Sequence, residues 1–175
     1  EVLKNVEEKA KYKMGEKVKD LNEIQKKDLI KKVSLSALRI AILKSKPGLN
    51  IDFDFETSLN FEGATGPYLL YTFARANSLL EKAKDLNIEI GQSEIEINEE
   101  NRNLILSLIQ IPANLKESIN NLQPQTIVKY LFELAQNFNT WYSKEKIINE
   151  DNQDKTIKNI ILVEYFTKIF KFTLN

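Results

Sequence analysis

Apolar residues recur at helical spacing through most of this chain, and the pattern breaks only where Gly, Pro or a short alternating run intervenes. Val2, Leu3, Val6, Ala10 and Met14 predict a first helix that Gly15 closes. A second helix is expected after Asn22, which can cap it, and runs to about Lys32. Ser34 offers an N-cap to a third helix with Leu35, Leu38 and Ile42 on one side, and the Pro47-Gly48 turn ends it. The period then changes. Ile51, Phe53 and Phe55 alternate with Asp52, Asp54 and Glu56, the pattern of a strand with one apolar and one acidic face. A lone strand is not stable, and only Ile88 with Ile90, or Ile95 with Ile97, alternates elsewhere, so its partners are expected outside this chain.

Beyond Gly63 and Gly66 the helical signal strengthens. Pro67 suits a first turn, and a helix is expected from there to about Asp85. Leu69, Phe73, Ala76, Leu80 and Ala83 make a core stripe along it. Tyr68, Tyr71, Arg75, Ser78 and Lys82 step the same way on a largely opposite face, and that second stripe needs a partner of its own. Residues 87 to 100 read as a polar, acidic connection. Leu104, Ile105, Leu108 and Ile109 mark a helix ending near Pro112, and Leu115 and Ile119 a short one after it. Pro124 opens another strong helix with Ile127, Leu131, Leu134, Phe138 and Trp141 as its core stripe, widened by Val128, Phe132, Ala135 and Tyr142. Residues 149 to 155 read as an exposed loop. The last helix, 156 to 174, is apolar nearly all round through Ile160, Ile161, Leu162, Tyr165, Phe166, Ile169, Phe170 and Phe172, so it must be buried or partnered.

Composition narrows the chemistry. With 42% apolar and 29% charged residues the chain is globular, and with neither Cys nor His it has no disulfide, no thiolate metal site and no imidazole base. No apolar run reaches membrane length, the start lacks the marks of a signal peptide, and a reducing cytoplasmic location fits. The net charge of zero is unevenly spread. Residues 1 to 50 carry 13 Lys or Arg against 7 Asp or Glu, residues 51 to 100 carry 3 against 11, and residues 101 to 175 carry 9 against 7. The basic opening suits a polyanion, although Lys and Glu interleaved on a helix are more often a solvated face.

Three groups of side chains carry candidate chemistry. Tyr68, Tyr71 and Arg75, extended by Ser78 and Lys82, combine rings that stack on unpaired bases with a guanidinium that stacks or grips phosphate. The plainer alternative has the tyrosines filling a helix interface and Arg75 pairing with a carboxylate. Phe138, Asn139, Trp141 and Tyr142 follow: Phe138 and Trp141 belong to the core, whereas the Asn139 amide can bond a base edge or satisfy a neighbouring helix end. Asp52, Asp54 and Glu56 share a strand face, but no carbonyl-rich turn accompanies them, so no metal site and no catalytic pair is assigned. Gly63 and Gly66 lack the Lys-Ser or Lys-Thr of a phosphate loop and suit a tight turn, while the helix start at Pro67 would itself favour a phosphate.

The run Phe53-Asp54 to Leu59, Phe61-Glu62-Gly63, Pro67-Tyr68, Tyr71 and Arg75 resembles the arginyl-tRNA synthetase junction written F-D-x-x-x-x-L-x-F-E-G-N-x-x-P-Y-x-x-Y-x-x-x-R. There the class I catalytic domain enters a helical anticodon-binding domain of the DALR type. The helix from Pro124 through Tyr130, Leu131, Glu133, Leu134, Ala135, Phe138, Asn139 and Tyr142 is similar to the family's P-x-x-L-x-x-Y-L-x-E-L-A-x-x-F-N-x-F-Y run. The start resembles the helix after the KMSKS-type loop, and residues 33 to 41 the family's small-residue helix. Ala64 stands where the family usually has Asn, and Gly66 where it has Ala or Ser. Neither class I signature is present, because Lys44-Ser45-Lys46 lies on the wrong side of the junction, and the family's Leu-, Gly- and Pro-rich tail does not follow.

The resemblance implies a mainly α fold, an antiparallel helical bundle over residues 63 to 175, preceded by residues 1 to 62 as helices and a short strand from the end of the catalytic domain. It implies the tRNA-recognition portion of a longer arginine–tRNA ligase that needs ATP with Mg and arginine, while this portion is non-catalytic and holds no cofactor. The expected partners are the anticodon stem-loop of an arginine tRNA, touched by Tyr68, Tyr71, Arg75, Ser78, Lys82 and Asn139, and the catalytic domain of the same chain. Neither membrane nor DNA is expected, and the chain is expected to be a monomer. Two alternatives stay open: a helical protein-interaction module using the apolar last helix, and the anticodon domain of a related class I enzyme such as the cysteinyl or glycyl one.

Overall fold

The computed structural model describes residues 2–15, 18–51, 53–89, 91 and 94–174. Eight helices are formed among them: α1 (Val2–Met14), α2 (Glu23–Leu43), α3 (Phe55–Ser58), α4 (Gly66–Asp85), α5 (Arg102–Ile109), α6 (Ile111–Asn120), α7 (Pro124–Lys144) and α8 (Gln153–Leu174).

The front of the chain departs from its pattern in two places. The expected break at Ser34 does not occur, and α2 runs unbroken for 21 residues from the Asn22 cap. Asn22 and Gln25 close a reciprocal capping box, the Asn22 side chain accepting from the Gln25 amide and the Gln25 side chain from the Asn22 amide. Ser34 is fully buried inside this helix, where its neighbours from α1 and α4 override its preference for a cap. The expected strand at 51–56 is also absent, as is any strand among the described residues; Asp52 and Ile90 lie outside them. The Asp54 carboxylate instead accepts from the Glu56 amide and starts α3, and that bond holds its pKa below the usual value. With no neighbouring strand to pair its backbone, the segment satisfies itself as a helical turn. Phe53 and Phe55 meet edge to face with centroids 5.0 Å apart.

Two cores result. The smaller joins Val6, Ala10, Met14 and Val18 to Val33 and Ala37 of α2, Leu59, and the half-buried Phe61 and Leu70. The larger lies among α4, α5, α7 and α8 and is built on Phe138, Trp141, Phe166 and Phe170, with Ile40 of α2 reaching into it. Phe138 and Phe166 stack with centroids 4.1 Å apart, and Phe73 stacks on Phe170 at 6.1 Å. The core stripe expected on α4 is in place, with Leu69, Ala76 and Ala83 buried and Phe73 and Leu80 half-buried.

The last helix is partnered, as its all-round apolarity requires. It packs on α4, α5 and α7, which leaves Tyr165 and Phe172 as its exposed large apolar residues among those described. It begins three residues earlier than the pattern suggests, because the Asn152 side chain accepts from the Lys155 amide. The preceding connection is pinned by Lys155 on the nearly buried Glu145 carboxylate at 2.9 Å, by reciprocal bonds between Asn149 and Thr156, and by the Asn159 amide donating to the Ile147 carbonyl. Among the described residues no helix is long and apolar enough to cross a membrane.

Candidate nucleic-acid interface

The strand-to-helix junction foreseen at Gly63 and Gly66 is a loop-to-helix junction built for close approach. Gly63 has φ of +77°, which a side chain would strain, and a Cβ on Gly66 would collide with the backbone of Ser36 and come within 2.6 Å of the Ala37 nitrogen. α4 therefore starts in contact with the backbone of α2. Thr65 caps it, its hydroxyl accepting from the Tyr68 amide at 3.2 Å and donating to the Asn60 carbonyl at 2.5 Å. Thr65, Gly66 and Pro67 are all buried, so this helix start is spent on the fold and the phosphate position expected there is closed.

From that fixed start α4 delivers its second stripe to α7. Asn139 stands at the crossing as a half-buried amide serving three partners on α4. Its Oδ1 accepts from Arg75 Nη1 at 2.6 Å, and its Nδ2 donates to the Tyr68 hydroxyl at 3.0 Å and the Thr72 hydroxyl at 2.9 Å. Arg75 Nη2 donates to the Tyr71 hydroxyl at 3.1 Å. The guanidinium also lies over two rings, 4.8 Å from the Tyr71 centroid and 4.7 Å from that of Tyr142. No carboxylate pairs with Arg75 among the described residues, so its charge is oriented by an amide and phenols without being neutralised.

Above this network opens a shallow cleft of about 470 Å³ lined by Tyr71, Arg75, Ser78, Lys82 and Tyr142. Four of the six residues singled out in the sequence thus share one surface. The other two, Tyr68 and Asn139, lie beneath it: Tyr68 stacks on Phe132 with centroids 6.4 Å apart and holds Asn139. Ser78 turns its hydroxyl back to the Ala74 carbonyl, while Lys82 stands free in the last turns of α4. Tyr142 also lines the cleft, although the sequence pattern assigned it no contact with RNA. Its place three residues after Asn139 on the same helix was the available signal, but the spacing equally suited a core stripe. Its ring stacks on Phe138 with centroids 6.3 Å apart, and the Arg75 guanidinium lies 4.7 Å from its centroid.

The arrangement offers flat π surfaces, a cation held in place and, among the described residues, an unpaired one in a single cleft. No cluster of carboxylates able to hold a metal is present among the described residues. Asp54 is spent on capping α3 and the Glu56 backbone receives Lys13.

A wholly helical body with this cleft between two long helices falls in a defined class: residues 69–175 match the model of the DALR anticodon binding domain, and the chain belongs to that family. Its relatives are arginine–tRNA ligases. The one from Fusobacterium nucleatum is 34% identical over 86% of this chain and 27% of its own length. That from Pyrococcus furiosus is 34% identical over 86% of this chain and 25% of its own. Among solved structures, Thermus thermophilus arginyl-tRNA synthetase superposes with a TM-score of 0.78 at 25% identity, covering 99% of this chain and 30% of that one. The chain thus spans about a quarter of the length of the curated relatives it matches, corresponding to their carboxy-terminal part.

Proposed function

We propose that this chain is the tRNA-recognition portion of an arginine–tRNA ligase, in which residues 63–175 bind the anticodon stem-loop of an arginine tRNA and residues 1–62 are the trailing part of the catalytic domain. The observation that carries this reading is Arg75, held by Asn139 and flanked by Tyr71 and Tyr142, with no carboxylate among the described residues to quench it. Single-stranded loops are read by splaying bases onto aromatic rings and guanidinium planes, and the cleft supplies both. Lys82 and Arg75 would meet backbone phosphate, Tyr71 and Tyr142 would stack bases, and Tyr68 and Asn139 would keep Arg75 in place. The smaller core is built mainly from residues before 62 and the larger mainly from residues beyond it, which supports the division there. The whole enzyme would join arginine to tRNA using ATP with Mg, as a monomer in the cytoplasm, and this portion would contribute recognition without chemistry.

Binding of this chain to an arginine tRNA and to versions with altered anticodon bases tests the reading. Tyr71 is half-exposed, so Tyr71→Ala is expected to fold normally, to lose about 1–3 kcal/mol of binding, the worth of one base stack, and to reduce the preference for the native anticodon. Binding that ignores the anticodon in the parent chain, or a Tyr71→Ala variant that unfolds, would defeat it.

A further inference from the structure

Where the two cores meet, α2, α4, α7 and the end of α8 enclose a cavity of about 500 Å³. That volume falls within the range of small-ligand pockets, about 300–1,000 Å³. Its inner wall is aliphatic: Ile40, Leu69, Val128 and Leu131 are buried there, beside the close contact of Gly66 with Ser36. Phe73 is the one ring among the described lining residues, and it is engaged in its stack on Phe170. The hydroxyls of Ser36 and Thr173 donate to the Val33 and Ile169 carbonyls of their own helices. Charge enters through three exposed cations, Lys32, Arg39 and Lys171, and no Asp or Glu lines the cavity among the described residues, although carboxylates equal cations in number over the chain. Lys32 is held by Asp28 at 2.6 Å. Arg39 and Lys171 make no ion pair among the described residues. An aliphatic interior with unneutralised positive charge at its mouth matches a molecule with an apolar body and one anionic head. A nucleotide base would find no free ring to stack on.

We propose that this cavity is a binding site for a single-chain aliphatic carboxylate, which lays its hydrocarbon among Ile40, Leu69 and Leu131 and turns its carboxylate to Arg39 and Lys171. The site goes beyond the tRNA-recognition reading and does not depend on it. Leu69 and Phe73 lie on the face of α4 away from Tyr71 and Arg75, so the two sites occupy opposite sides of one helix.

The test titrates the full chain with octanoate, decanoate and dodecanoate by isothermal titration calorimetry, below the concentrations at which they form micelles. The neutral 1-decanol and the cationic decyltrimethylammonium serve as counterparts of one chain length. Affinity is expected to rise about fourfold with each methylene, the equivalent of about 0.8 kcal/mol apiece, to be weaker for decanol and to be absent for the ammonium compound. Arg39 and Lys171 are exposed, so Arg39→Gln with Lys171→Gln should fold normally, weaken decanoate by about tenfold and leave decanol unchanged. Leu43, 40% exposed in the lining, offers an independent variant: Leu43→Glu places a carboxylate at the mouth and should turn decanoate away at pH 7. Methyl NMR shifts on adding decanoate should be confined to Ile40, Leu69, Val128 and Leu131. Equal affinity for the three head groups, decanoate binding that survives the folded double Gln variant, or shifts that spread to the exposed Ile109 and Leu122 would each overturn the proposal. None of these measurements involves RNA, so a failure here leaves the cleft reading standing, and a failure of that reading leaves this one.

Discussion

Asn139 shows how much one amide can organise: a single side chain fixes Arg75 and satisfies the hydroxyls of Tyr68 and Thr72, the latter fully buried. Asn139→Ala is expected to lower stability by about 1–3 kcal/mol in urea unfolding, because it leaves hydroxyls short of partners in a desolvated place. Tyr130 is the opposite case. It is 2% exposed, its hydroxyl finds no partner among the described residues, and burial pushes its pKa from 10.0 up to about 12. The folded state then keeps a proton that the unfolded state releases. Its contribution is full below pH 10 and is lost as pH rises to about 12. Tyr130→Phe should be neutral or slightly stabilising at pH 7 and should flatten the fall in stability above pH 10, measured by urea midpoints across that range. The sequence placed Asn139 and Arg75 on promising faces, and Tyr142 among core positions. It could not pair them, because helical spacing tells which way a side chain points and not what stands 64 residues away to meet it.

Elements carry a different lesson. The two helices with strong stripes, α4 and α7, were legible to within a residue or two, since their apolar face, opening Pro and burial all favour one structure. Local signals misled where tertiary context decided. Ser34 has the chemistry of a cap, yet α2 passes through it because Val33, Ala37 and Ile40 bury a face that continues across it. Alternation at 51–56 had no partner strand to make it real. Gly66 read as part of a tight turn, and it is also where α4 touches the α2 backbone. Gly66→Ala is expected to destabilise by about 1–3 kcal/mol through overpacking against a main chain that cannot move aside. Gly48→Ala is a useful companion: no atom lies near its Cβ, only its φ of +84° opposes a side chain, and a cost of about 1 kcal/mol or less is expected in the same denaturation series.

At the scale of the whole molecule, the two cores differ greatly in content, one built on stacked large aromatics and the other on Val, Ala, Met and Leu. Amide hydrogen exchange should therefore show two tiers, with α1 and the first half of α2 exchanging faster than the buried centres of α4, α7 and α8. Uniform protection throughout would contradict this division. α2 joins the two tiers, because Val33 and Ala37 belong to the small core and Ile40, one turn on, to the large one. Adding or removing a single residue between Ala37 and Ile40 would turn the rest of the helix by about 100° and shift it by about 1.5 Å, taking Ile40 off its seat in the large core while Ser36 and Ala37 keep theirs against Gly66. The length of this helix is consequently a ruler that evolution cannot recalibrate in small steps. Gaps in an alignment of relatives are expected to collect in the connections at residues 86–101 and 145–152, and α2 is expected to keep its count of residues even where every side chain on its outer face has changed.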